Sequence, residues 1–408
     1  MPDRPEITLG FLPLLDSAIL IAAAEKGFAS DENINLKLVR ETSWANIRDR
    51  IAVGHFQAAH MLAPMPIASN LGLSPLSLPL IAPMALGLGG NAITVSASLY
   101  EAMSAEGMTP DLDPKSAGTA LKTVIATRRA SGAPPLRFAV VHSFSGHNYE
   151  LRYWLAACGI SPDRDVEITI VPPPLMADAL AADRIDGCCV GEPWNTVAVD
   201  RGIGRIVTVK SAIWHNSPEK VLGVSRAWAE ANGLALEALL RALYRAAEWC
   251  GNTENIEELA GILASRPYLD MEGRLLLPAL TGQLSTTPDR VVDVGDFFVL
   301  GRKAATFPWQ SHALWFYSQM VRWGHCSHTL QNSSIARDSY RPDIYRQALK
   351  PIFAPMPGAS LKVEGALSQE QYVGATNGRI LLGPDGFFDG KTFDPDRLED
   401  YLAGQRQD

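Results

Sequence analysis

The sequence has 408 residues, 47% of them hydrophobic and 20% charged, which is the make-up of a globular chain and excludes a disordered one. That length exceeds what one hydrophobic core organises and calls for two or three lobes. A net charge of −8 argues against nucleic acid as a direct partner, which needs a basic face, but admits a small anion held by a few buried donors.

In chain order, Ile7–Leu12 reads as a strand and Ser17–Lys26 as a helix, with Asp16 or Ser17 as N-cap and Gly27 as its stop. Asn35–Glu41 alternates with period two, as a half-buried strand does. Ala45–Val53 is a short helix ended by Gly54, Phe56–Met61 a strand, and Pro64 and Pro66 open the next helix. Leu76–Leu86 and Ala92–Val95 are extended. Gly87, Gly89 and Gly90 lie between them in a GLGG run that a strand follows, whereas a dinucleotide fingerprint must open a helix. Helix with loops at both ends fills 103–135. Strands at Arg137–Val141, Val166–Val171, Gly187–Val190 and Arg205–Val209 then alternate with helices at His147–Cys158, Leu175–Ala182 and Pro193–Asp200. This β-α-β alternation predicts a mostly parallel sheet covered on both faces. After a strand at Val221–Ser225 the pattern turns helical (Ala235–Cys250, Asn255–Ala264, Ser311–Trp323), and a Gly- and Pro-punctuated tail from Arg341 is expected to wrap over the first lobe.

The five cysteines include no C-x-x-C pair, so no zinc knuckle is expected, and His325-Cys-Ser-His328 alone is too few ligands to close a metal site. The opening MPDRPEITLGFLPL lacks the basic start, apolar helix and small-residue cleavage site of a secretory signal. The longest apolar stretch, Leu76–Leu88, contains Pro79 and Pro83 and is too short to span a bilayer. The expectation is a cytoplasmic chain with reduced thiols and no membrane association.

Open α/β sheets take ligands where strands hand over to helices, so polar residues at those points are the candidates. Trp44 carries an indole N–H that only donates, although it also reads as a core tryptophan. Asn91 follows two glycines, where it is either a donor or a turn residue. Ser143-Phe-Ser-Gly-His147 feeds a helix N-terminus, a ready anion site in which Ser145 caps and His147 donates; simple capping is the alternative. Gly191-Glu-Pro-Trp194 is a second such turn, with Glu192 set to cap the helix or to hold a positive neighbour such as His147 or Lys220. Lys220 precedes an apolar strand and is either solvated or the main countercharge. His55 and His60 flank a strand and read as structural.

In order along the chain, Ser-Trp44, Gly54-His-Phe-Gln-Ala-Ala-His-Met-Leu-Ala-Pro-Met-Pro66, Gly90-Asn91, Ser145-Gly-His147, Arg152-Tyr-Trp-Leu-Ala-Ala157, Val190-Gly-Glu-Pro-Trp-Asn195, Pro218-Glu-Lys-Val-Leu-Gly223 and Phe307-Pro-Trp-Gln-Ser-His-Ala-Leu-Trp315 resemble the nitrate-binding proteins of cyanobacterial nitrate transporters and their bicarbonate-binding relatives (NrtA/CmpA-like). The resemblance implies an α/β, two-lobed periplasmic-binding-protein fold of type II, with the anion clamped in a cleft between lobes joined by two crossings. The lobes are expected at 1–93 with 213–408, and at 94–212. It also implies anion ligands at Trp44, Asn91, His147, Gly191 and Lys220, with Ser145, Gly146 and Glu192 just behind them. Asn91 stands where the nitrate binders carry glutamine, a carboxamide on a longer arm. No cofactor, metal or catalytic residue is implied.

Without a secretion signal or lipid anchor, the chain resembles most the cytosolic nitrate/nitrite sensor branch of proteobacteria (NasS-like). Members of that branch hold an RNA-binding antiterminator (NasT-like) and release it when the anion binds. The alternatives are the binding component of an ABC-type nitrate, nitrite or bicarbonate transporter, and a pyrimidine-synthase-like enzyme, for which no phosphate loop is evident. Nitrate is flat, singly charged and easily dehydrated, so N–H donors around one lysine suit it. On this reading Lys220→Ala abolishes binding and leaves the fold intact.

Overall fold

The computed structural model describes residues 4–405. Its main strands, in chain order, are β1 (Glu6–Phe11), β2 (Asn35–Arg40), β3 (Ala58–Leu62), β4 (Leu80–Ala85), β5 (Leu88–Gly89), β6 (Asn91–Ser96), β7 (Leu136–Val140), β8 (Val166–Ile170), β9 (Gly187–Gly191), β10 (Gly204–Val209) and β11 (Lys220–Ser225). All but β5, which pairs with Phe298–Val299, form two five-stranded sheets, β2-β1-β3-β11-β4 and β10-β6-β9-β7-β8. The chain therefore leaves the first sheet after β4, enters the second at β6, and returns between β10 and β11. A lobe break after residue 93 falls inside β6, because Asn91 already pairs with Gly191 in the second sheet.

Both sheets are mixed where a mostly parallel one is expected. β1 pairs in parallel with β2 and β3, and β7 with β8 and β9. The strands next to the crossings run the other way: β11 is antiparallel to β3 and β4, and β6 to β9 and β10. A strand entering directly from the other lobe needs no right-handed helical crossover, so nothing forces it into the parallel set.

The expected strands and helices lie within a few residues of the observed ones. Helix Ala18–Glu25 (AILIAAAE) is buried on nearly every side, sandwiched between its sheet and helix Gly233–Cys250, which explains the absence of a polar face. The helical stretch 103–135 is two helices, Ala97–Ala105 and Pro114–Ala130. They part at Gly107, and the second opens on Asp113, whose carboxylate accepts from the amides of Lys115 and Ser116, with Pro114 at its first position. The Gly87-Leu-Gly-Gly90 run turns sharply into β6. At Gly89 (φ 75°) a Cβ would lie 2.2 Å from the Phe297 carbonyl oxygen, so glycine is needed to let the backbone pass.

The tail packs on the first lobe, as expected, but it also reaches the return crossing and the second lobe. Phe387 stacks on Trp214 at 4.7 Å, Asn216 donates to the Pro384 carbonyl, and the Tyr153 hydroxyl donates to Asp389. No described helix is long and apolar enough to cross a membrane.

Candidate functional site

The ends of β6, β9 and β11 converge on the turns before helices Trp44–Ala52 and Gly146–Ala157. Each turn is set by local chemistry. Ser43 caps its helix by accepting from the Asn46 amide, which leaves Trp44 at the first helical position, 1% exposed. Ser145 accepts from the Asn148 amide and donates to the His142 carbonyl, which fixes Gly146 and His147 in the first turn of the second helix. Lys220 opens β11 and is fully buried, contrary to the solvated option.

Trp44, Asn91, His147, Gly191 and Lys220 come together here, all buried. Lys220 Nζ lies 5.4 Å from the Trp44 ring centroid, and Asn91 and Gly191 are register partners. Trp44 Nε1, both amide atoms of Asn91 and His147 Nε2 have no hydrogen-bond partner within the protein. Buried polar atoms are rarely left this way, and several converging from both sheets mark a place for a ligand.

Besides Glu192, which the sequence places beside the site, three carboxylates and a second lysine around these residues escape a sequence reading. Asp16, taken above as a helix cap, points its Oδ2 at Lys220 Nζ (2.7 Å) and its Oδ1 at His60 Nε2 (3.0 Å). Glu219 lies between the lobes, with Oε1 2.8 Å from Lys220 and 3.3 Å from His147 Nδ1, and Oε2 2.5 Å from Lys210. Lys210 also meets Glu150 at 2.6 Å and donates to the Pro218 carbonyl. Glu192 does not hold a positive neighbour; one of its oxygens accepts from the Thr196 amide and the other has no partner. Its main-chain carbonyl accepts from the Leu15 amide at 2.8 Å, which closes the first-lobe loop onto the second-lobe loop.

Burial pushes the His147 imidazole down to about 3, with Glu219 opposing and the two lysines adding to the effect. Burial likewise lowers His60 against the pull of Asp16. Burial raises Glu219, but His147, Lys210 and Lys220 outweigh it and hold the carboxyl well below its usual range; Asp16 is lowered by Lys220 and His60 in the same way. Glu150, which shares Lys210 with Glu219, is pushed up by burial to about 8, and Glu192 to about 7. Two lysines cannot keep three carboxylates ionised, and Glu150 is the one that retains its proton.

Lys220 is thus the partner of two buried carboxylates. Lys220→Ala leaves Asp16 without a lysine and Glu219 with Lys210 alone, so a cost in stability is expected beside the loss of binding, where the sequence alone suggests an intact fold. His60 is more than structural packing, since it braces Asp16. His325 and His328 pair with the hydroxyls of Tyr149 and Tyr317, and no described residues form a cluster able to hold a metal.

The NMT1-like family matches residues 1–264 of this chain. The chain belongs to that family. Among curated NMT1-like relatives, the nitrate/nitrite binding protein NrtA of Synechococcus elongatus is 34% identical over 98% of this chain and 87% of its own length. The nitrate import ATP-binding protein NrtC of Synechocystis is 32% identical over 85% of this chain and 50% of its own length. The crystal structure of the periplasmic nitrate-binding protein NrtA from Synechocystis superposes with a TM-score of 0.86 at 26% identity, covering 99% of both chains. The fold is that two-lobed periplasmic-binding-protein fold, and these relatives are binding and import proteins rather than pyrimidine synthases.

The likenesses overturn the cytosolic sensor, its cytoplasmic location and its NasT-like partner. Proteins that match nearly the whole chain are nitrate/nitrite binding proteins and a bicarbonate-binding protein, and a solved structure that covers 99% of it is a periplasmic nitrate-binding protein. The sensor reading rested on the opening residues, of which 1–3 lie outside the described residues, against similarity along 98% of the chain.

Proposed function

We propose that this protein is the substrate-binding component of an ABC-type importer, that it works outside the inner membrane, and that it closes over nitrate or nitrite. The reading is carried by the buried polar atoms left unpartnered around Lys220: Trp44 Nε1, the Asn91 amide and His147 Nε2. They come from both lobes, so one small ligand would satisfy all of them only with the cleft shut. The donors are N–H groups beside Lys220, which suits a weakly hydrated planar monoanion better than a tightly hydrated divalent one. The relatives' names support both the ligand and the import partner. In this reading Trp44, Asn91, His147, Gly191 and Lys220 contact the anion, and Ser145, Gly146 and Glu192 support them; the lobes are the two sheets with their helices. Calorimetric titration with nitrate, nitrite, bicarbonate and sulfate tests it. Tight binding of nitrate or nitrite and none of sulfate is expected. Binding of bicarbonate alone would move the protein to the bicarbonate side of its relatives, and silence toward all four would remove the proposal.

A further inference from the structure

The charges around Lys220 balance before any anion arrives. Lys220 and Lys210 are both buried, and each sits within 2.8 Å of two carboxylate oxygens. Asp16 and Glu219 are held ionised, Glu150 keeps its proton, and His60 and His147 are neutral. Two positive charges therefore meet two negative ones. A monoanion added to such a closed, water-poor cluster would be a buried charge without a countercharge, the costliest arrangement a protein interior can hold.

We propose that Asp16 and Glu219 cancel the charge of Lys220, so that the anion enters the cleft only together with one proton, held by His147 between Glu219 and the anion. This deepens the proposed nitrate or nitrite binding and rests on it. His147 is placed for the role because Nδ1 faces the Glu219 carboxylate at 3.3 Å while Nε2 has no protein partner. A proton completes a Glu219–His147–anion series of alternating charge. The charged and titratable groups facing His147 are Glu219, Lys220, Lys210 and Asp16, with Glu150 on its own helix; the thiol of Cys189 on β9, which burial keeps protonated, faces Glu150, Glu219 and Lys210. Glu219 also faces the Tyr340 hydroxyl, which stays neutral and donates to the Ala63 carbonyl. Asp16 and Glu219 then act as specificity residues that never touch the anion: they make the site take up a monoanion and a proton as a neutral pair.

The sign of the pH effect follows. The imidazole is neutral in the free protein above about pH 3 and charged in the complex, so binding takes up a proton between its free and bound pKa values. Within that window affinity falls about tenfold for each unit rise in pH. The test is calorimetric titration of the whole protein with nitrate, and with nitrite in parallel, between pH 6 and 8 in imidazole and in Tris. These cationic buffers differ in ionisation enthalpy, and the difference in heat counts protons. About one proton taken up per anion, and a tenfold loss of affinity per pH unit, are expected. In Asp16→Asn the lysine is no longer cancelled, so the count falls to about zero and the affinity becomes independent of pH; Glu219→Gln combined with Glu150→Gln, which stops Glu150 from taking over the charge on Lys210, gives the same result should the first variant not fold. His147→Gln keeps an N–H donor but loses the proton. Binding without proton uptake in the unsubstituted protein overturns the inference and leaves the anion-binding reading standing, whereas no binding of either anion overturns both. Loss of the proton in Glu192→Gln would seat it on Glu192 and overturn the assignment to His147.

Discussion

Asn91 is fully buried, yet neither its amide nitrogen nor its oxygen meets a protein partner. Such a group costs about 1–3 kcal/mol in the free, closed protein. Asn91→Leu, of similar volume, removes the donor without exposing anything else. Nitrate affinity is expected to fall by about 1–3 kcal/mol while urea unfolding shows equal or greater stability. A parallel loss of stability would show that Asn91 serves the fold. Lys220→Ala behaves oppositely, losing binding and also about 3–5 kcal/mol of stability, because Asp16 and Glu219 stay buried without it. Lys220→Met, scored by the same unfolding measurement, shares the electrostatic part of that loss. Trp44, His147 and Gly191 stood out in the sequence because each sits at a strand-to-helix turn, and Asn91 and Lys220 because each opens a strand beside Gly or Pro residues. Asp16, Glu150, Lys210 and Glu219 did not, because their meaning is pairwise. Asp16 and Lys220 are 204 positions apart, and no local pattern announces that one carboxylate will face one lysine across a cleft.

The helix Gly146–Ala157 brings its first turn so close to Glu219 that a Cβ on Gly146 would lie 2.4 Å from Oε2. A flexible side chain elsewhere would swing away, but this carboxylate is pinned by Lys210 and Lys220. Alanine adds helix propensity of about 1 kcal/mol, while overpacking costs about 1–3 kcal/mol. The clash wins, so Gly146→Ala lowers the melting temperature and weakens anion binding. Gly261, in the exposed part of helix Ile256–Ala264, has open space where a Cβ would go, and there the propensity gain stands alone. Gly261→Ala is expected to stabilise by up to about 1 kcal/mol, read from the same melts. Elements of this kind were legible where hydrophobic periodicity ran long, as in Gly233–Cys250, and where caps and glycines marked the ends. The hairpins Gln283–Thr287/Arg290–Asp293 and Gln371–Ala375/Gly378–Leu382 were not. Arg290–Asp293 and Gln371–Ala375 bury too little to impose a clear alternation, and Gln283–Thr287 buries the polar Thr286 and Thr287 beside Leu284, so no apolar period marks it.

Across the molecule, five histidines have lowered pKa values, each through burial: His60, His142 (about 4), His147 (about 3), His312 and His325. In the unfolded chain they take up protons near their ordinary value of 6.5, before the folded protein does. Their contribution to stability is complete above that value and is lost as pH falls from it toward the folded values. Asp16 and Glu219, depressed by their lysines, and Glu364, drawn down to about 2 by Lys362 and His312 against burial, add a second loss below the usual carboxylate range. Glu150 and Glu192 oppose this. Burial raises both, to about 8 and about 7, so their contribution is present below the unfolded value near 4.5 and is lost as pH rises through the folded values. Between about pH 4.5 and 6.5 five imidazoles outweigh three carboxyls, Glu150, Glu192 and the half-buried Glu248, which burial also raises, and above that range only the carboxyls still change. Anion-free protein is therefore expected to gain stability from about pH 4.5 to 6.5 and to level off or lose some toward pH 8. Urea midpoints across that range read the sign directly. A midpoint that falls between pH 4.5 and 6.5 would mean that the buried histidines are charged in the fold, and the neutral balance around Lys220 would go with them.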